Sequence, residues 1–87
     1  MDDNVTTHDL IVIGATAGGL SVAEGACRAG LGRVLVLERG HSVLMPEIVS
    51  RNDLQIAYGQ KVTRIDYDAE ADQVIVETSQ RTRRAAA

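Results

Sequence analysis

The apolar residues of this chain fall in short runs whose spacing changes along the sequence. Leu10-Ile11-Val12-Ile13 is a continuous apolar run rich in β-branched side chains. A strand with no polar face belongs in a parallel sheet covered on both sides. Gly14 ends the run, and Ala15-Thr16-Ala17-Gly18-Gly19 predicts a tight turn into a helix with Thr16 as its N-cap. From about Ala17 to Ala29, Leu20, Ala23, Ala26 and Cys27 recur near one face at helical spacing. Most of these side chains are small, so the helix can lie close to a sheet. Gly25 costs that helix about 1 kcal/mol relative to Ala. Gly30 suits a left-handed cap, Leu31 can fold back on the last turn, and Arg28 complements the negative end of the helix dipole. Arg33 to Glu38 is a second apolar run and reads as a second strand. Strand, Gly-rich turn, helix and strand over residues 9–38 make a right-handed βαβ unit.

The pattern then loosens. Residues 39–53 are long enough for a parallel crossover, with Pro46 in the first turn of a short helix reaching Ser50 or Arg51. Leu54–Tyr58 reads as a third parallel strand. In Val62–Tyr67 and Gln73–Thr78 apolar and polar residues alternate, as in the arms of a hairpin. The turn between them, Asp68-Ala69-Glu70-Ala71-Asp72, contains no Gly. The expected fold is α/β: a Rossmann-like βαβ with a three-stranded parallel sheet and a β-hairpin. Its domain plan is a disordered arm over residues 1–8, a partial nucleotide-binding domain over 9–84 with the third strand and hairpin at 54–79, and a tail at 85–87.

Composition narrows the function. The 87 residues carry a net charge of −3, one Cys, two Tyr and neither Trp nor Phe. One cysteine cannot form an internal disulfide, a redox pair or a Cys-rich zinc site. Twelve acids against nine bases argue against nucleic acid, because phosphate binding needs a clustered basic excess. No apolar run is long enough to span a bilayer, and the polar, acidic start is unlike a secretory signal, so a reducing, cytoplasmic setting is expected. A chain this short and this poor in large aromatics has a small core, which suggests one part of something larger.

The candidate chemistry lies at Gly14, Ala15, Thr16, Ala17, Gly18 and Gly19, followed by Glu38. A strand-to-helix turn aims backbone amides and the positive helix end at one point, where a pyrophosphate fits. Gly14 permits the turn, and Gly19 allows helix and strand to pack closely. Glu38 closes the second strand, where a carboxylate can accept hydrogen bonds from an adenosine ribose. Thr16 stands where G-x-G-x-x-G has its middle glycine, and its hydroxyl could itself meet a phosphate. A glycine-rich helix–sheet turn with no ligand is the plain alternative.

Residues 9–40, DLIVIGATAGGLSVAEGACRAGLGRVLVLERG, resemble the FAD-binding segment of the pyridine nucleotide–disulfide oxidoreductases, and residues 54–84 resemble more loosely the third strand and β-meander that follow it. The resemblance implies FAD as cofactor, with NAD as the alternative. It implies an N-terminal portion of a flavin-dependent NAD(P)H oxidoreductase, cofactor contacts from the turn, Glu38 and Arg39, and no catalytic activity in these residues alone. It also implies a further strand beside Leu10–Ile13, starting near Ala85. Without that strand, Leu10–Ile13 is an apolar edge open to self-association or to a partner chain.

Two other readings stay open: a binding module for an adenine dinucleotide without chemistry, and a truncated product that binds nothing. Arg39 can contact a ribose or phosphate, or simply be solvated. Cys27 reads as a buried structural thiol. His8 falls in the arm and His41 in a loop, and no metal-ligand set or catalytic constellation stands out.

Overall fold

The computed structural model describes residues 7–43, 45–52 and 54–87. In chain order the elements are β1 (Thr7–His8), β2 (Leu10–Ile13), α1 (Ala17–Arg28), β3 (Val34–Leu37), α2 (Pro46–Asn52), β4 (Gln55–Ala57), β5 (Val62–Asp68), β6 (Gln73–Thr78) and β7 (Thr82–Ala86). They form two sheets. One has three parallel strands in the order β2-β3-β4, and the other has four in the order β1-β7-β6-β5. The mixed α/β architecture is thus a partial Rossmann-like domain, as the βαβ pattern implies.

The continuous apolar runs are explained by layering. All four residues of β3 are buried. Val34 and Val36 join Leu20, Ala23 and Ile48 under the two helices, while Leu35 and Leu37 join Val76 under the second sheet. Side chains alternate across a strand, so a central strand covered on both faces can carry no polar position. In β2 the same alternation sends Val12 to the helix side and Ile11 to the meander side.

α1 begins where the sequence places it. Thr16 is extended at φ −83° and ψ 173°, and its hydroxyl accepts from the Gly19 amide. The helix ends in a Schellman pattern, with Gly30 N–H on the Cys27 carbonyl, Leu31 N–H on the Ala26 carbonyl and Gly30 at φ +98°. α2 is clamped to α1 through Glu24, whose Oε2 accepts from Arg51 and Asn52.

Three expectations need correction. The disordered arm was expected to reach His8; residues 1–6 lie outside the described residues, but Thr7 and His8 form β1, parallel to β7. His8 is accordingly buried rather than exposed in an arm. The 85–87 tail is also partly structured, because Ala85 and Ala86 complete β7, paired with Val74 and Gln73 of β6. Ala85 is 6% exposed. A strand does pass through Ala85, then, but it extends the meander instead of lying beside β2, so the hairpin becomes a four-stranded sheet. The glycine-free turn closes because Asp72 takes φ +53° and Asp68 Oδ1 accepts from the amides of Glu70 and Ala71.

Candidate functional site

The turn after β2 is built from glycines with different duties. Gly14 sits at φ +100°, a conformation open to glycine, and its amide donates to the Leu37 carbonyl at 2.8 Å. That bond ties the turn to the end of β3. A Cβ on Gly19 would collide with the Gly14 carbonyl oxygen and lie 3.2 Å from Val12 Cγ1, so the bare helix backbone packs directly on the Gly14 peptide and the Val12 side chain. Gly18 differs: a Cβ there would meet only Thr16 Oγ1, at 4.0 Å, and the position faces solvent with Ala17.

The amides of Ala17 and Gly18, in the first turn of α1, have no intrahelical acceptor. The first turn carries no acidic residue, so the positive end of the helix is not neutralised from within. Thr16 turns its hydroxyl inward to cap Gly19 at 3.3 Å, which explains how a side chain is accommodated at the middle position.

Glu38 is brought directly to this turn. Its Oε1 accepts from the Ala15 amide at 2.9 Å and its Oε2 from the Gly40 amide at 2.6 Å. These two bonds, Ala15 first, hold the carboxyl below its ordinary value of 4.5, against a smaller opposing effect of burial. The carboxylate therefore bridges the β2–α1 turn and the loop after β3. The sequence signals the nearness of Glu38 to the turn, but not this bridge.

Arg39 is exposed beside a cleft of about 240 Å³ lined by Gly14, Glu38, Gln60, Lys61 and Val62, among others. Gln60 and Lys61 are site neighbours that the sequence reading passes over. They follow β4, and their signal is position: they lie past the carboxyl end of a parallel strand, where open α/β sheets place ligands. Gln60 is anchored by its amide on the Glu38 carbonyl at 2.9 Å and by its side chain to Thr78 at 2.8 Å.

The remaining candidates lie apart. Cys27 is half-buried against the helix-side core. His41 is exposed in the loop, close to Gly59. A larger cavity of about 570 Å³ opens at the other end of the parallel strands, near Cys27, Val34 and Gln55, and contains none of the turn residues. Among the described residues no group of three or more His, Cys, Asp or Glu is placed to hold a metal ion, and no helix is long and apolar enough to cross a membrane.

No protein-family model matches the chain, and no curated protein matches it by sequence. Solved structures do match. The bacillithiol disulfide reductase Bdr of Staphylococcus aureus superposes with a TM-score of 0.79 at 15% identity, over 93% of this chain and 36% of that one. A pyridine nucleotide-disulfide family oxidoreductase of Enterococcus faecalis gives 0.71 at 19% identity, over 86% and 20%. A water-forming NADH oxidase of Lactobacillus brevis, solved with NADH, gives 0.71 at 18% identity, over 97% and 21%. The fold is that of the pyridine nucleotide–disulfide oxidoreductase flavoproteins, and this chain spans about a third or less of the length of these three.

Proposed function

We propose that the chain is the FAD-binding portion of a flavin-dependent NAD(P)H oxidoreductase. The diphosphate would lie at the Gly14–Gly19 turn and the adenosine ribose on Glu38, with Arg39 at the rim. The observation that supports this reading is the Glu38–Ala15 hydrogen bond, which sets a carboxylate that could accept from a ribose beside the positive end of α1. The residues fit the group: the first-turn amides of α1 are free of intrahelical acceptors, no acid stands in that first turn, and Gly18 leaves open space beside it.

When bound, a flavin supplies hydride acceptance. This chain's residues would bind and orient it. The amides of Ala17 and Gly18 would hold the diphosphate, and the lone pairs left on Glu38 would accept from ribose hydroxyls. A carboxylate there repels a 2′-phosphate, so FAD and NAD should bind more tightly than NADP.

The same geometry suits an adenine dinucleotide carrier without chemistry, a reading favoured by the single turn of this kind in 87 residues. Thermal unfolding with FAD, NAD, NADP and ADP tests both. A ligand that binds the native state alone raises the midpoint. The expected order is FAD first, NAD and ADP next, NADP last. If none of the four shifts the midpoint at about 1 mM, where a Kd of about 10 μM would stabilise the native state by about 2.7 kcal/mol, the proposal fails. NAD ahead of FAD would favour the carrier.

A further inference from the structure

The loop after β4 crosses from the parallel sheet to the four-stranded one and is tied down on both sides. Toward β3 it continues the parallel pairing. The Glu38 amide donates to the Ala57 carbonyl at 2.9 Å, the Gln60 amide to the Glu38 carbonyl at 2.9 Å, and the Gly59 amide to the Gly40 carbonyl at 3.0 Å. Toward β6 it is held by two further bonds. The Thr78 hydroxyl donates to Gln60 Oε1 at 2.8 Å, and the Ser79 amide donates to the Lys61 carbonyl at 2.9 Å.

The Thr78 hydroxyl is fully committed. Its two lone pairs accept from the amides of Gln80 and Arg81, both at 3.1 Å, which leaves only its hydrogen to give. Two acceptors lie within reach of that hydrogen, Gln60 Oε1 at 2.8 Å and the Arg81 carbonyl at 3.1 Å. The bond to Gln60 is the shorter, and the Arg81 carbonyl already accepts from the Thr78 amide at 2.9 Å. The side-chain amide of Gln60 can then face only one way. Its NH₂ donates to the Tyr58 carbonyl at 3.3 Å, and a flipped amide would set an N–H against a hydroxyl with no lone pair to offer. Gln60 is 9% exposed, and burying an amide costs free energy unless it is paired in this way. An apolar side chain would fill the space without that demand, so the glutamine specifies a position.

These bonds run in series to the glycine-rich turn. Thr78 holds the Gln60 side chain, the Gln60 amide holds the Glu38 carbonyl, and the Glu38 carboxylate holds the Ala15 amide. We propose that Gln60, braced by Thr78, is a positioning residue for a ligand at the Gly14–Gly19 turn. It acts by fixing the backbone from which Glu38 reaches, so affinity for the ribose end of the ligand is set in part from the β6–β7 turn. This inference rests on the reading of the site as one for an adenine dinucleotide. A brace with a structural role alone would change stability and leave affinity as it was.

The test is an NMR titration of ADP into the full chain and its variants. Thr78→Val and Gln60→Met each remove the bond while keeping the side chain's shape, and each should weaken ADP by about tenfold, whereas Thr78→Ser keeps the hydroxyl and should stay within about twofold of the parent. In a Glu38→Ala background Thr78→Val should change the affinity by less than about twofold, because the residue being positioned is gone. If one of the two bond-removing variants fails to fold, the other decides. Unchanged affinity in the bond-removing variants, an equal loss in Thr78→Ser, or the full loss persisting without Glu38 overturns this inference alone. A parent that binds neither ADP nor FAD at about 1 mM sinks the dinucleotide reading and this inference with it.

Discussion

Glu38 accepts with one lone pair of each carboxylate oxygen from the Ala15 and Gly40 amides, which leaves a second lone pair on each. Glu38→Gln retains an oxygen for Ala15 but turns an NH₂ toward the Gly40 amide, so it should lower the unfolding midpoint at pH 7 even without ligand. The acid response follows from the same bonds. They depress the folded-state value below 4.5, so their stabilisation is present above pH 4.5 and is lost as pH falls through the depressed value. Circular dichroism melts from pH 7 to 3 should therefore fall less steeply below about 4.5 in the Gln variant than in the parent; equal slopes would mean that the bridge does not form in solution. Neighbouring glycines separate in a second test. Gly19→Ala forces a Cβ into the Gly14 carbonyl and should cost about 1–3 kcal/mol, as overpacking does. Gly18→Ala meets open space and gains helix propensity, so chemical denaturation should show it no less stable than the parent.

α2 has only seven residues, too few to persist alone, so its order comes from the burial of Ile48 and the bonds to Glu24. Glu24→Gln removes a carboxylate that Arg51 and Asn52 hold below its ordinary value. Faster exchange of the Ile48–Asn52 amides with α1 unchanged is the expected result; equal loosening of both helices would show that Glu24 supports α1 instead. Elements of this kind differ in how far the sequence reveals them. β2, α1 and β3 were legible because apolar runs, an N-cap and a C-terminal glycine agree in one place, at Leu10–Ile13, Thr16 and Gly30. β1 and β7 were not. Thr7-His8 is too short to show a period, and Thr-Arg-Arg-Ala-Ala has little strand propensity; pairing with β6 and a buried Ala85 impose the strand from outside. The candidate site divides the same way. The turn and Glu38 are visible by spacing, whereas Gly40, Gln60 and Lys61 reach it only through the contacts of the fold.

At the scale of the whole molecule, among the described residues, the helices cover one face of β3 and the four-stranded sheet the other, and a glycine-rich turn stands beside a cleft at the carboxyl ends of the parallel strands. Hydride transfer between a nicotinamide and a flavin needs both rings held at reacting distance, and that positioning can supply about 7–11 kcal/mol of the barrier. On the proposed reading the Gly14–Gly19 turn and Glu38 would account for one dinucleotide. No second strand–Gly-turn–helix is present in these 87 residues to hold the other. Binding without turnover is therefore expected. The purified chain with added FAD should consume NADH no faster than the same concentration of free FAD, even at a chain concentration that shifts the unfolding midpoint of the complex. The loss of NADH absorbance, followed with and without the chain, measures this directly. A rate that exceeds free flavin and rises in proportion to the chain would place a second binding site within these residues, with the cavity of about 570 Å³ at the opposite ends of the parallel strands the first place to look for it.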